Sequence, residues 1–362
     1  MSVRLYPNLE TIGGDCRGIV PCQRSNAPAR IGGTEWGMSD MVAGAALSAD
    51  LTESQWLAEL EEIGEEEGYF SPLGDNHAAI FVDRSQKVLF VSFETATGIR
   101  ATSERGLPIG FDICESRDWS HLTILAMADD WYRDRFVYGY FDRLVDEGFF
   151  EDFDHVVFFG AGMCGYAAAA FSVVAPGASV ILISPQATLE RRKTEWDSRF
   201  PTARRYDFRS RYGYAPYMLE AASQALVVYD PDEVEDAMHA TLFDAANVVR
   251  VRYRRGRSGA IDADFRAMGF VSRLAELAVA GRLDAVRVAR SLKARHRHIP
   301  YLRALLARTL ADDRPYLTAM LCRAVLDWQP IPRFRHHLGI AEHRLAERGG
   351  SLPGRARERA ES

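Results

Sequence analysis

Short, mostly apolar runs recur through the middle of this 362-residue chain, and segments with helical spacing separate them. The runs at 155–159, 178–183 and 225–229 are too short for buried helices and lack the polar alternation of a half-exposed strand. Such strands lie in a parallel sheet whose two faces are both covered by helices. The spacing therefore predicts an α/β fold, a mostly parallel sheet sandwiched by helices. A further strand is expected at 248–253, with a helix at 234–242 before it.

Earlier in the chain, Trp56, Leu57, Leu60 and Ile63 share one face of a helix expected over 51–67, with Thr52 as its cap. Residues 78–82 and 88–93 read as two strands of a hairpin turned by Asp83, Arg84, Ser85 and Gln86. A strand is expected at 121–127, and helices at 138–149 and 163–174. Beyond Ile261 strand patterns cease. Helical patterns at 265–280, 283–293, 301–310 and 316–326 predict an all-α C-terminal extension. The expected organisation is a poorly ordered arm over 1–50, an α/β domain over 51–260 with a lid insertion at 187–223, a helical region over 261–348, and a disordered tail over 349–362. Recognisable pattern begins near Leu51, so Met38 or Met41 is an alternative start.

Composition narrows the class. At 47% hydrophobic and 26% charged the chain is neither disordered nor fibrous. No apolar run approaches the roughly 18 residues of a membrane span. Cys16, Cys22, Cys114, Cys164 and Cys322 are scattered and odd in number, with no metal-site or disulfide-scaffold spacing. No secretory signal opens the sequence, so a cytoplasmic location, no cofactor and no metal are expected. Net charge is −6, but residues 250–362 carry 24 basic against 11 acidic side chains. A basic C-terminal surface suits an acidic partner, including the acidic first part of the same chain.

The stretch Gly160-Ala161-Gly162-Met163-Cys164-Gly165-Tyr166-Ala167-Ala168 follows a predicted strand and opens a predicted helix. It resembles the nucleophile elbow of the α/β-hydrolases, G-x-S-x-G-G-Y-A-A, and the order of elements over about 78–260 fits that family. The resemblance implies a serine where this chain has Gly162. Glycine carries no nucleophile. Moving the frame to make Cys164 the nucleophile puts the bulky Tyr166 where a small residue belongs. Cys164 then has two readings: a small core residue, or a thiol activated in the first turn of a helix, where free N–H groups lower its pKa. Whichever frame holds, Gly160, Ala161, Gly162, Met163 and Gly165 form a ligand-binding turn with free amides. By order along the chain, the resemblance places the triad acid at Asp230. After 248–253 no histidine follows; His239 is the nearest and lies inside a helical pattern, while His296, His298, His336 and His337 belong to the basic tail.

The 187–223 insertion interleaves Arg191, Arg192, Arg199, Arg204, Arg205, Arg209 and Arg211 with Trp196, Phe200, Tyr206, Phe208, Tyr212, Tyr214 and Tyr217. Guanidinium groups beside aromatic faces suit a small anionic or acyl-type ligand, and the alternative is an amphipathic cover. No recognised module supports nucleic-acid binding. The segments Gly68-Tyr69-Phe70, Tyr138-Gly139-Tyr140-Phe141-Asp142-Arg143-Leu144-Val145 and 160–168 also look like an alphaproteobacterial family labelled phosphoadenosine phosphosulfate reductase. That activity needs a Ser-Gly-Gly-x-Asp-Ser phosphate loop and a Cys-Gly-x-His element, and this sequence has neither; Gly13-Gly14-Asp15 is only an echo. Three functions follow as expectations: a non-catalytic scaffold binding a ligand or a protein partner, a hydrolase or transferase with chemistry relocated to Cys164, and the reductase of the label.

Overall fold

Thr52 opens the first helix with a reciprocal cap. Its hydroxyl accepts from the Gln55 amide at 3.3 Å, and the Gln55 side chain accepts from the Thr52 amide at 3.0 Å. Helix α1 (Glu53–Glu67) then lays Trp56 and Leu60 on the sheet. The computed structural model describes residues 46–84, 86–257 and 259–353, which fall in one unit, Gly44–Ser362. The arm expected before residue 46 and the tail beyond 353 lie outside the described residues.

Strands β1 (Gly68–Leu73), β2 (His77–Val82) and β3 (Gln86–Thr95) come next, followed by helices α2 (Ala96–Thr102) and α3 (Ile109–Cys114) and strand β4 (Trp119–Ala126). The hairpin expected of the second and third strands does not form. β4 lies between them, antiparallel to β2 and parallel to β3. β3 is buried from Val88 through Glu94, so it needs a ladder partner on each side, and β4 and β5 supply them. The connection steps over the start of β4, where the Arg84 amide donates to Ser120 Oγ and the Gln86 amide to the Asp118 carbonyl. The true hairpin pairs β2 with β1, which sequence reading passed over because Pro72 and partial exposure mark an edge strand.

The rest alternates as expected: α4 (Arg135–Asp146), β5 (His155–Ala161), α5 (Met163–Phe171), β6 (Ser179–Ile183), the short helices α6 (Arg191–Thr194) and α7 (Ala215–Met218), β7 (Gln224–Tyr229), α8 (Val234–Leu242) and β8 (Val248–Arg252). The sheet order is β1-β2-β4-β3-β5-β6-β7-β8, with β2 antiparallel to its neighbours and β3 through β8 parallel. That order, with the tight turn after β5, is an α/β-hydrolase-like fold.

Helices α9 (Ile261–Ala267), α10 (Phe270–Val279), α11 (Ala285–Ser291), α12 (Ile299–Ala311), α13 (Pro315–Leu326) and α14 (Pro332–Glu347) complete the chain. The single helix expected over 265–280 breaks at Gly269, whose φ of 63° is a left-handed stop. The helical region also supplies one face of the fold. Val271, Leu274 and Ala278 of α10 share a core with Val157, Ile181 and Leu226 of the sheet, and α12 to α14 build outward from it. The opposite face is covered by α4, α5 and the insertion, around Phe93, Phe141, Phe158, Phe171 and Tyr212.

Candidate functional site

The turn between β5 and α5 is built by glycines with different duties. A Cβ on Gly160 would lie 2.1 Å from the Cys164 carbonyl oxygen, so only hydrogen lets strand and helix approach this closely. Gly165 has Pro185 Cβ at 3.1 Å and the Gly160 oxygen at 3.2 Å from its own imagined Cβ. Gly162 is the apex, with φ 56° and ψ −121°, a conformation that side-chain-bearing residues hold only under strain. Its amide donates to the Ile183 carbonyl at 2.9 Å, and its carbonyl accepts from the Tyr166 amide at 3.0 Å. Nothing lies within 4 Å of where its side chain would project. The bend thus points at open space with no atom to present there.

Two cavities flank this apex. One, of about 280 Å³, is lined by Gly162, Ser184, Gln186, Arg199, Asp230 and Asp262, among others. The second, of about 250 Å³, is lined by Glu94, Asp129, Met163, Cys164 and Arg266. Ala161 and Asp262 belong to both walls.

Cys164 stands in the first turn of α5, where the helix start alone favours a thiolate. The structure reverses that expectation. The residue is 7% exposed, and burial pushes its thiol up to about 12. Its Sγ lies 3.3 Å from the Tyr132 hydroxyl, which itself donates to the Glu94 carbonyl at 2.9 Å. Trp131 and Tyr132 hold this loop with positive φ, and Asp130 Oδ1 pins it by accepting from the Tyr132 amide.

Asp230 follows β7 and is 4% exposed. Its Oδ1 accepts from the Asp232 amide at 2.9 Å and its Oδ2 from the Gly256 amide at 2.7 Å. Burial raises its carboxyl above the usual range, against the pull of those two amides. The loop after β8 therefore meets Asp230 with backbone. A Cβ on Gly256 would lie 3.0 Å from Asp230 Oδ2, so glycine is what lets the backbone come this close to the carboxylate.

His239 lines neither cavity. It sits on α8, fully buried, with Nε2 2.9 Å from Asp197 Oδ2 and Nδ1 accepting from the Ala187 amide at 3.1 Å. Because the amide can only donate, the ring is the Nε2–H tautomer and both nitrogens are engaged. As a candidate base it is corrected to a clasp between α8 and the insertion. Burial lowers its pKa, and burial and Arg84 push His121 of β4 down to about 3. A folded value below the unfolded one, about 6.5, gives stability that is present above that pH and lost as pH falls through the window toward 3. The urea midpoint is expected to be lower at pH 5 than at pH 7.5; equal midpoints would contradict the assignment.

Of the insertion's arginines, Arg199, Arg204 and Arg211 are tied to partners in the fold, while Arg191, Arg192 and Arg205 are exposed. Arg199 pairs with Asp197 and Asp236, Arg204 donates to the Thr194 and Asp197 carbonyls, and Arg211 grips Asp142. Phe208 and Tyr212 are buried against Tyr166 and Phe171. These contacts are those of a cover. Sequence reading missed Gln186 and the Asp197–His239 pair, which no local spacing signals, and Asp262, which the helical pattern hid. Among the described residues His77, Asp130 and Asp134 bring ligand-type atoms within 4.8 Å of one another, but Asp130 and Asp134 oxygens already accept the Tyr132 and Phe136 amides. No described helix is long and apolar enough to cross a membrane.

No protein-family model and no curated protein matches this sequence. Among solved structures, carboxyl esterase 2 from the fungus Tuber melanosporum is 13% identical, with a TM-score of 0.37 over 57% of this chain and 83% of that one. The carboxylesterase EstE1 from a metagenomic library is 15% identical, with a TM-score of 0.33 over 68% and 99%. The fluorophosphonate-binding serine hydrolase FphF of Staphylococcus aureus is 11% identical, with a TM-score of 0.37 over 58% and 96%. At such scores the likeness carries no argument about chemistry, and the fold rests on the strand order.

Proposed function

We propose that this protein is an α/β-hydrolase-fold scaffold that binds a small ligand beside its elbow without turning it over. The reading is carried by Gly162. Acyl transfer at this bend needs a nucleophile whose proton passes to a base held by an acid. Here the apex has no side chain, and the acid meets a backbone amide in place of an imidazole. Chemistry relocated to Cys164 is disfavoured by the thiol's burial and raised pKa. The reductase reading has no support in the cleft; the described cysteines, Cys114, Cys164 and Cys322, are all buried and free. What the site retains is the turn's amides, the two cavities and their polar walls.

A fluorophosphonate probe reads the proposal directly, because it labels serines activated by a neighbouring base. The folded protein is expected to remain unlabelled at pH 7.5 while an active esterase in the same tube is labelled to completion. Modification of any serine, mapped by peptide mass, would overturn the reading.

A further inference from the structure

The walls of the two cavities carry six carboxylates, Glu94, Asp129, Asp230, Glu233, Asp236 and Asp262, against three guanidinium groups, those of Arg199, Arg257 and Arg266. All three guanidiniums are already engaged. Arg199 lies on Asp197 and Asp236, Arg257 on the buried Asp264, and Arg266 on Glu94. On the acidic side the balance differs: among the described residues Asp129, Glu233 and Asp262 pair with no cation. Asp262, an exposed residue in the first turn of α9, stands on the wall common to both cavities.

A second observation bears on the same space. Gln186 lines the larger cavity and is 4% exposed, yet its Oε1 has no hydrogen-bond partner. Its Nε2 lies 3.5 Å from the Ser184 carbonyl. A buried acceptor left unpaired is costly, and a ligand that brings a donor relieves it. The donors include the Ser184 hydroxyl beside Gln186 and, in the smaller cavity, the first amides of α5, which have no intrahelical partner.

We infer that the larger cavity beside the elbow selects a small organic ammonium ion carrying a hydroxyl a few bonds from the nitrogen. The ammonium faces Asp262 and Glu233, and the ligand hydroxyl donates to Gln186 Oε1, all three residues lining that one cavity. An anion of the same size meets unpaired carboxylates and finds no unengaged arginine. This rests on the proposal that the cleft binds without turnover, and it replaces the anionic ligand that the arginine-rich insertion suggests in sequence.

Three probes of equal length separate the charges: 4-aminobutan-1-ol, 1,4-butanediol and 4-hydroxybutyrate. Each is titrated into the full-length chain at pH 7.5 by calorimetry, with saturation-transfer spectra to confirm contact. The amino alcohol is expected to bind tightest, and Asp262→Asn to weaken it about tenfold, the loss of one charge-assisted bond. Glu59→Gln, on the exposed face of α1 and outside both cavities, is expected to leave its affinity unchanged. The inference is overturned if 4-hydroxybutyrate binds as tightly, if none of the three binds, or if Asp262→Asn and Glu59→Gln behave alike. Serine labelling by the fluorophosphonate is a separate readout, so loss of charge selection and loss of the non-catalytic reading are told apart.

Discussion

Gly160→Ala is expected to leave little or no folded protein at 25 °C. The added methyl would sit 2.1 Å from the Cys164 oxygen and 2.8 Å from the Gly165 nitrogen, both backbone atoms that cannot swing aside. Relief requires lifting α5 off the end of β5, and α5 carries Tyr166 through Phe171 into the core. A loss above about 4 kcal/mol belongs to this kind of change, against a total stability of about 5–15 kcal/mol for most domains. Gly162→Ala is the control. Its methyl enters open space, so only the φ of 56° is penalised, at about 1–2 kcal/mol. Thermal melts followed by circular dichroism compare the two. Equal melting temperatures would mean that strand and helix do not meet at Gly160.

The second large effect is expected at Asp197, which is fully buried within the insertion. Its Oδ2 takes His239 Nε2 and Arg199 Nη2, and its Oδ1 takes the Arg199 amide and Nε. Burial on its own would raise the carboxyl, but these bonds outweigh it and hold the pKa at about 2. Asp197→Ala leaves the buried His239 Nε2–H unmatched, while Arg199 keeps Asp236, at a cost of about 1–3 kcal/mol. Asp197→Asn keeps one acceptor oxygen for His239 but turns its NH2 toward the Arg199 amide and Nε, which also donate, so it is expected to recover only part of that loss. Urea titration measures both, and limited proteolysis should cut the alanine variant first between residues 187 and 223. An alanine variant as stable and as protease-resistant as the parent would show that the clasp does not hold the cover.

Sequence made the elbow legible because a tight strand-to-helix turn is largely local: Gly160 is required by the Cys164 carbonyl and Gly162 by its own φ, while Gly165 also answers to Pro185 after the next strand. The central strands were legible for a related reason, since double-sided burial leaves continuous apolar runs in 155–159 and 178–183. What stayed hidden depends on partners far along the chain. Nothing near residue 83 reveals that β4, some forty residues later, inserts between β2 and β3. Burial in the core raises the Cys164 thiol more than the Tyr132 hydrogen bond lowers it, and the helix-start argument saw neither. His239 looked like a surface or core residue of a helix until Asp197 and Ala187 came to meet it. The insertion's arginines left an anionic ligand and an amphipathic cover both open, because the partners of Arg199, Arg204 and Arg211 are spread over the fold and charge counting cannot see them.

The layer formed by α10 has a practical consequence. Cutting the chain after β8, where the strands end, would uncover Phe90, Val157, Ile181 and Leu226 as one greasy sheet surface facing water. A trimmed version limited to the first 260 residues is thus a recipe for aggregates, and protein engineering on this scaffold has to keep its last third.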